Sequence, residues 1–375
     1  MYKRSIFFKA AAFAFAFTSA QVVFAQGTTG QDNDVRAVTT AVPILTVAPD
    51  ARSAALGDAG VALSPDANSP FWNPAKLGFV PTDMSVSLSY SPWLANIVDD
   101  MSLSYLSGYK KVSETSALSL SLLYFDLGEL QFIDANQQPI QDYRPKEYTI
   151  SLGYGQALSE NFSVGIGARF IHSNLAGNVN VSGPTQSFES KPGNTAAVDV
   201  GVYYQKDLSQ KINLALAGNI SNIGGKIAYT TQDEKDFLPT NLKIGTAVTY
   251  NLDAYNTLTF VLDANKLLVP SPGADTDQTV ISGIFSSFGD AEGGFSEEMQ
   301  EVNLSGGVEY WYNKLFAARA GYFYENPEKG GRKFFSMGVG LRYQKFGLDA
   351  AYLVPNEQGN PLANTWRFSL ALNLE

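Results

Sequence analysis

The chain contains no cysteine. That excludes disulfides, a thiolate metal site, a cysteine nucleophile and a lipid-anchored N-terminal cysteine. It contains one histidine, His172. This residue closes a strand-like stretch beside a long link, where a lone polar side chain is ordinarily just solvated. No nucleophile elbow accompanies it, so no catalytic residue is assigned and no enzyme is expected. Only 17% of residues are charged and the net charge is −10, which argues against a nucleic-acid partner. The acidic pairs Asp99-Asp100 and Glu297-Glu298 lack calcium-loop spacing and read as solvated loop charges. Neither a metal nor a cofactor is implied. Beyond the first 25 residues there is no run of about 18 apolar residues, so no spanning helix is expected.

What the chain has instead is alternation. The last stretch puts Trp366, Phe368, Leu370, Leu372 and Leu374 on one face of a strand and Arg367, Ser369, Ala371 and Asn373 on the other. Left as an exposed edge, such a ribbon is a liability. Closing a barrel in a membrane removes the edge. The same pattern recurs in fourteen segments: 84–90, 100–110, 116–126, 147–157, 162–172, 195–207, 212–220, 241–252, 257–266, 302–312, 315–324, 334–343, 346–353 and 366–374. Most approach the ~9–11 residues of a tilted membrane strand. Their links alternate between tight and long, as in outer-membrane barrels with short periplasmic turns and longer outer loops. The fold expected is all-β, a 14-stranded antiparallel transmembrane barrel in the bacterial outer membrane, with both termini periplasmic. Tyr90, Tyr105, Tyr124, Tyr154, Tyr250, Tyr310, Tyr324 and Tyr343 are read as interfacial girdle residues, so outer-membrane lipid is an expected partner.

Residues 1–25 read as a secretory signal: Lys3, Arg4 and Lys9, then a short apolar run, then Val23-Phe24-Ala25. Residues 26–50 are polar and irregular, a periplasmic tail. Residues 51–83 are rich in small and turn-forming residues but carry Leu56, Phe71, Trp72 and Leu77, which suits a hatch folded into the barrel of residues 84–375. The G-x-G triplets at 153–155, 165–167 and 338–340 lie inside strands, where lumen-facing glycine makes room; none opens a nucleotide-binding helix. Two long links are not simply polar. One holds Trp93, Leu94 and Ile97; the other, 267–301, holds Ile281, Ile284, Phe285, Phe288 and Phe295. Ile281, Ile284, Phe285 and Phe288 are spaced for a short amphipathic helix. These clusters can pack together over the barrel mouth, dock a protein partner or admit a hydrophobic ligand, and the readings are compatible.

The run Arg52-Ser53-Ala54-Ala55-Leu56-Gly57-Asp58-Ala59-Gly60, followed by Asp66-Ala67-Asn68-Ser69-Pro70-Phe71-Trp72-Asn73-Pro74-Ala75-Lys76-Leu77, resembles the PorV/PorQ family of the type IX secretion system, on the PorV (LptO) side. The wider relatives it resembles are FadL-like barrels with an N-terminal hatch, and Asn73-Pro74-Ala75 is assigned to that hatch by analogy. The resemblance implies a non-enzymatic component that works beside the SprA/Sov translocon barrel. It would bind cargo proteins by their C-terminal signal domain and shuttle them to the attachment complex containing the sortase PorU. The alternative it leaves open is a FadL-type transporter of fatty acids or other hydrophobic molecules.

Overall fold

The structure is a computed structural model. It describes residues 36–374 except 95–99, 134–138, 176, 178–179, 183–186, 190, 230–234, 276 and 356–364. The signal segment 1–25 and Ile97 therefore lie outside the described residues.

Fourteen antiparallel strands close into a barrel. They are β1 (Met84–Pro92), β2 (Ser102–Ser113), β3 (Ser116–Asp126), β4 (Lys146–Ala157), β5 (Phe162–Asn174), β6 (Gly193–Ser209) and β7 (Ile212–Gly224). The second half runs β8 (Asn241–Asn251), β9 (Asn256–Leu267), β10 (Asn303–Tyr312), β11 (Phe316–Tyr324), β12 (Lys333–Tyr343), β13 (Phe346–Pro355) and β14 (Thr365–Leu374). Each strand pairs with its chain neighbour, and β14 pairs with β1 from Met84↔Leu374 to Tyr90↔Phe368. The terminal strand thus removes the edge that it would otherwise expose. Two small hairpins, Leu130–Ile133 with Pro139–Tyr143 and Asn180–Ser182 with Ser187–Glu189, sit within long links.

The alternation sorts the side chains. Val86, Leu88, Leu118, Leu120, Phe368 and Leu370 face outward and are exposed, as a lipid-facing band requires. Their neighbours Ser85, Ser87, Ser89, Ser119, Arg367 and Ser369 face inward and are buried. The tight turns take the backbone they need: Asn313 and Lys314 both have positive φ, 52° and 51°, suited to a two-residue hairpin turn. No described helix is long and apolar enough to cross a membrane.

Burial of the inner face is the work of the N-terminal segment. Ala41, Val42, Ile44, Leu45 and Ala48 are already buried in one cluster with Phe71, Trp72, Leu103, Tyr105 and Leu123. The packed region thus begins about ten residues before residue 51. Two four-residue helical turns follow, α1 (Ala51–Ala54) and α2 (Ser69–Trp72), then a 3-10 turn over Pro74–Phe79. Tyr105 is accordingly not a girdle residue: it faces inward and packs edge-on against Phe71.

The link pattern implies that both termini share the tight-turn side, but the described ends do not. Leu374 pairs with Met84 at the tight-turn end. Arg36 sits among the long links, where its backbone N–H donates to Glu328 O at 2.8 Å and its guanidinium pairs with Glu292 at 2.8 Å. From Arg36 the described chain runs from the long-loop end down to β1.

Candidate functional site

Two features carry the functional argument: a plug anchored by charge, and a loop that turns its apolar residues outward. The plug's arginine–glycine run is held by the wall. Arg52, at α1, forms a fork on Glu309 of β10, Nε to Oε2 at 3.0 Å and Nη2 to Oε1 at 2.8 Å. Its Nη1 also donates to Asp66 Oδ2 at 3.0 Å. Glu309 accepts from Arg319 of β11 at 2.7 Å. Arg319 continues to Asp349 of β13 at 2.8 Å, and Asp349 accepts from Arg342 of β12 at 2.7 Å. Buried charges need such pairing, and the arginine fork fixes geometry as well as charge. Asp58 pairs with Arg367 at 3.3 Å. Asp263 of β9 accepts from the backbone N–H groups of Gly60 and Val61 at 2.7 and 2.9 Å.

The Asn73-Pro74-Ala75 motif is a docking turn. Asn73 Oδ1 accepts from Ala75 N at 2.9 Å, capping the 3-10 turn, and Nδ2 donates to Val202 O of β6 at 2.9 Å. Ser163 of β5 donates to Ala75 O at 2.7 Å. Gly165 of β5 is glycine for a visible reason: a Cβ there would lie 2.2 Å from Ala75 N, against backbone that cannot rotate away. Gly57 has φ +70° and its N–H donates to Ser336 Oγ at 2.9 Å, so it turns the plug against β12 in a conformation that favours glycine.

The 267–301 link forms two short helices, α3 (Val280–Ser286) and α4 (Phe295–Gln300). Thr279 caps α3 by accepting from Ser282 N. Both helices are inverted. On α3 the small residue Gly283 packs inward on Phe237 and Pro270. Ile281, Phe285 and Phe288, spaced i, i+4, i+7, point outward at 59%, 74% and 54% exposure; Phe295 of α4 is 79% exposed. Ile284 is half-buried.

The acidic face of α4 is pinned to the rim. Lys266 at the end of β9 pairs with Glu298 and Glu301 at 2.9 and 2.5 Å. Lys329, in the β11–β12 link, pairs with Glu297 and Glu301 at 2.6 and 3.0 Å. The Lys329 ammonium, then the Gly293 N–H, hold the Glu297 carboxyl below its usual range. At Glu301 burial pushes the pKa up, but Lys266, Lys329 and Ser271 outweigh it and the net direction is down. Glu297-Glu298 is therefore not a solvated acidic pair; its carboxylates are the latch of the loop.

The other aromatic loop behaves differently. Trp93 is buried and packs edge-on against Phe125 at 5.7 Å, and Leu94 packs against the same cluster. Trp93 belongs to the core, so it offers no free docking face. His172, at the rim, stacks on Tyr148 and hydrogen-bonds Asn194 at 2.8 Å. Among the described residues no acidic, histidine or cysteine group could hold a metal ion.

A cavity of about 420 Å³ lies at the long-loop end, above the plug. Trp72, Trp93, Phe125 and Phe323 form its aromatic lining, and Lys243, Asn265 and Asn303 its polar wall. A second, shallow groove faces outward between Leu152, Phe170, Val198 and Ile223, beside a register shift in the β6–β7 pair.

A closed fourteen-strand barrel, plugged by its N-terminal segment, with an apolar outer band defines an outer-membrane β-barrel protein. Three solved barrels share this fold at low identity. They are the toluene transporter TodX of Pseudomonas putida (11% identity, 86% of this chain and 98% of that one, TM-score 0.51), the toluene transporter TbuX of Ralstonia pickettii (12%, 89% and 100%, 0.51) and the monoaromatic hydrocarbon channel CymD (13%, 88% and 98%, 0.52). The chain matches no curated protein sequence. The chain belongs to the PorV family: the model for type IX secretion system protein PorV matches residues 29–274, which include the whole plug and the strands through β9.

Proposed function

We propose that this barrel is a non-enzymatic cargo-handling subunit of the type IX secretion system. In this reading it binds secreted proteins through their C-terminal signal domain at the SprA/Sov translocon and delivers them to the PorU attachment complex. The long loops face the cell surface and the tight turns face the periplasm. The observation that carries it is the inverted helix pair: Ile281, Phe285, Phe288 and Phe295 face solvent while small or charged residues pack inward. Exposed apolar clusters held rigidly on a loop are interaction surfaces in the making. Family membership supplies the partner class. The plugged lumen supports a docking role over passage of a chain through this barrel.

A second reading, transport of hydrophobic molecules, has two observations in its favour: an aromatic cavity and, on the outer wall, a groove at a strand irregularity. The polar wall of that cavity fits a bare hydrocarbon poorly. The test is the double substitution Phe285→Ser with Phe288→Ser. Burying each phenylalanine is worth about 1.5–3 kcal/mol, so losing both weakens docking on the order of a hundredfold or more. Heat-modifiable mobility stays normal while cargo release falls. Normal secretion by a well-expressed double mutant removes the loop from the interface.

A further inference from the structure

The charge around the exposed loop stripe is of one sign. The stripe itself has two parts. Met299 of α4 is 53% exposed and stands one turn after Phe295, so each helix presents an i, i+4 apolar pair: Ile281 with Phe285 on α3, Phe295 with Met299 on α4. The link 267–301 that carries them holds seven carboxylates and neither lysine nor arginine. Four of the seven are met by cations from elsewhere: Glu297, Glu298 and Glu301 by Lys266 and Lys329, and Glu292 by Arg36. Asp275 and Asp277, exposed just ahead of α3, and Asp290, just after it, pair with no cation among the described residues. Lys226 lies over the Phe237 ring, against which Gly283 packs on the buried side of α3.

The bias extends around the barrel mouth. The seven long links together hold nineteen carboxylates against six lysines or arginines, whereas the six tight links hold three of each. The acidic character therefore belongs to the long-loop end and not to both ends. That asymmetry selects what can cover the stripe. A second copy of this chain would set carboxylates against carboxylates, and an anionic lipid surface would be repelled in the same way. Repulsion of this kind excludes wrong partners as effectively as attraction recruits the right one.

We infer, building on the docking reading, that the stripe takes a protein face whose apolar centre is ringed by lysines or arginines. The apolar pairs supply the buried contact. The exposed carboxylates act at range: they steer the encounter, raising the association rate by about tenfold or more. Salt removes this advantage, because the Debye length falls from about 10 Å at 0.1 M to about 3 Å at 1 M.

The experiment places the photo-crosslinking amino acid p-benzoylphenylalanine at position 299 of the full-length barrel, irradiates native outer membranes at low and high salt, and maps the linked peptides by mass spectrometry. The linked site should lie on another protein, be apolar, and have more lysines and arginines than carboxylates within about 10 Å. Asp275→Asn with Asp277→Asn, which keeps the acceptor that Asp275 offers to the backbone N–H of residue 277, should lower the yield about threefold or more at low salt and little at high salt. Phe285→Ser with Phe288→Ser should lower it at both. A linked site richer in carboxylates than in cations, or a low-salt yield that the carboxamide pair leaves unmoved, overturns the inference while the docking reading stands. Linkage only to lipid or to a second copy also overturns it. No linkage at all overturns both.

Discussion

Replacing Arg52 by leucine should free the plug while leaving the barrel closed. Arg52 makes two charge-assisted bonds to Glu309, one to Asp66, and two to Ser64. Glu309 is almost without water and would keep only Arg319. Asp66 is about a third exposed and rehydrates, so its loss is discounted. Breaking a buried ion pair costs about 3–5 kcal/mol, and the surviving Arg319 contact puts this case near the low end. About 3 kcal/mol is roughly a hundredfold in the equilibrium between docked and released plug. The absence of cysteine makes the assay clean: Ser53→Cys places a single thiol at a buried plug position. A soluble maleimide should label that thiol roughly a hundredfold faster when Arg52→Leu is added than when Arg52 is kept. Arg52→Lys keeps the charge without the fork and should fall between. Equal labelling rates in the folded protein with and without Arg52→Leu would refute the claim that this arginine anchors the plug.

Three further outcomes are expected. Gly165→Ala drives a methyl into the Ala75 backbone, so the same reporter should label faster, at an overpacking cost of about 1–3 kcal/mol, with heat-modifiable mobility unchanged. The loop latch should weaken in acid. The pKa values of Glu297 and Glu301 are lowered by folding, so their stabilisation is complete above the ordinary glutamate value of 4.5 and is lost as pH falls through the lowered values. Pulsed proteolysis should cut the 267–301 link faster at pH 3 than at pH 6, and the difference should shrink in Lys329→Met. Finally, β14 closes the barrel by pairing with β1, so deleting residues 365–374 should abolish the heat-modifiable form rather than merely shift its midpoint.

The barrel was legible because a membrane inverts the usual rule. With lipid outside and small or polar wall residues inside, side chains alternate sharply, and Leu118, Leu120 and Leu122 against Ser119 and Ser121 show it without any structure. Legibility fails where the plug presents an apolar surface to the wall. In β2, Leu103 and Tyr105 face Phe71 and the buried segment 41–48, so apolar residues occur on both faces and Tyr105 imitates a girdle residue. The segment 41–48 is hidden for a related reason. Its Ala41-Val42-Pro43-Ile44-Leu45 run is a signal, but it is short, non-periodic and flanked by polar residues. The helix α3 was readable from the spacing of Ile281, Ile284 and Phe285, whereas its inversion was not. Which face a short helix buries depends on partners outside it, here Phe237 and Pro270. The arginine at 52 stood in the run that carries the family resemblance, but its partner Glu309 lies 257 residues away. Nothing local pairs them.

Affinity purification of the tagged barrel from mild-detergent outer membranes, with protein and lipid mass spectrometry on the eluate, tests the central claim most directly. A very large outer-membrane protein, or secreted proteins sharing a C-terminal domain, should co-purify with the wild type and be depleted with the Phe285→Ser/Phe288→Ser protein. Recovery of the barrel alone, carrying a stoichiometric apolar ligand, would contradict the cargo-handling account and make transport its function.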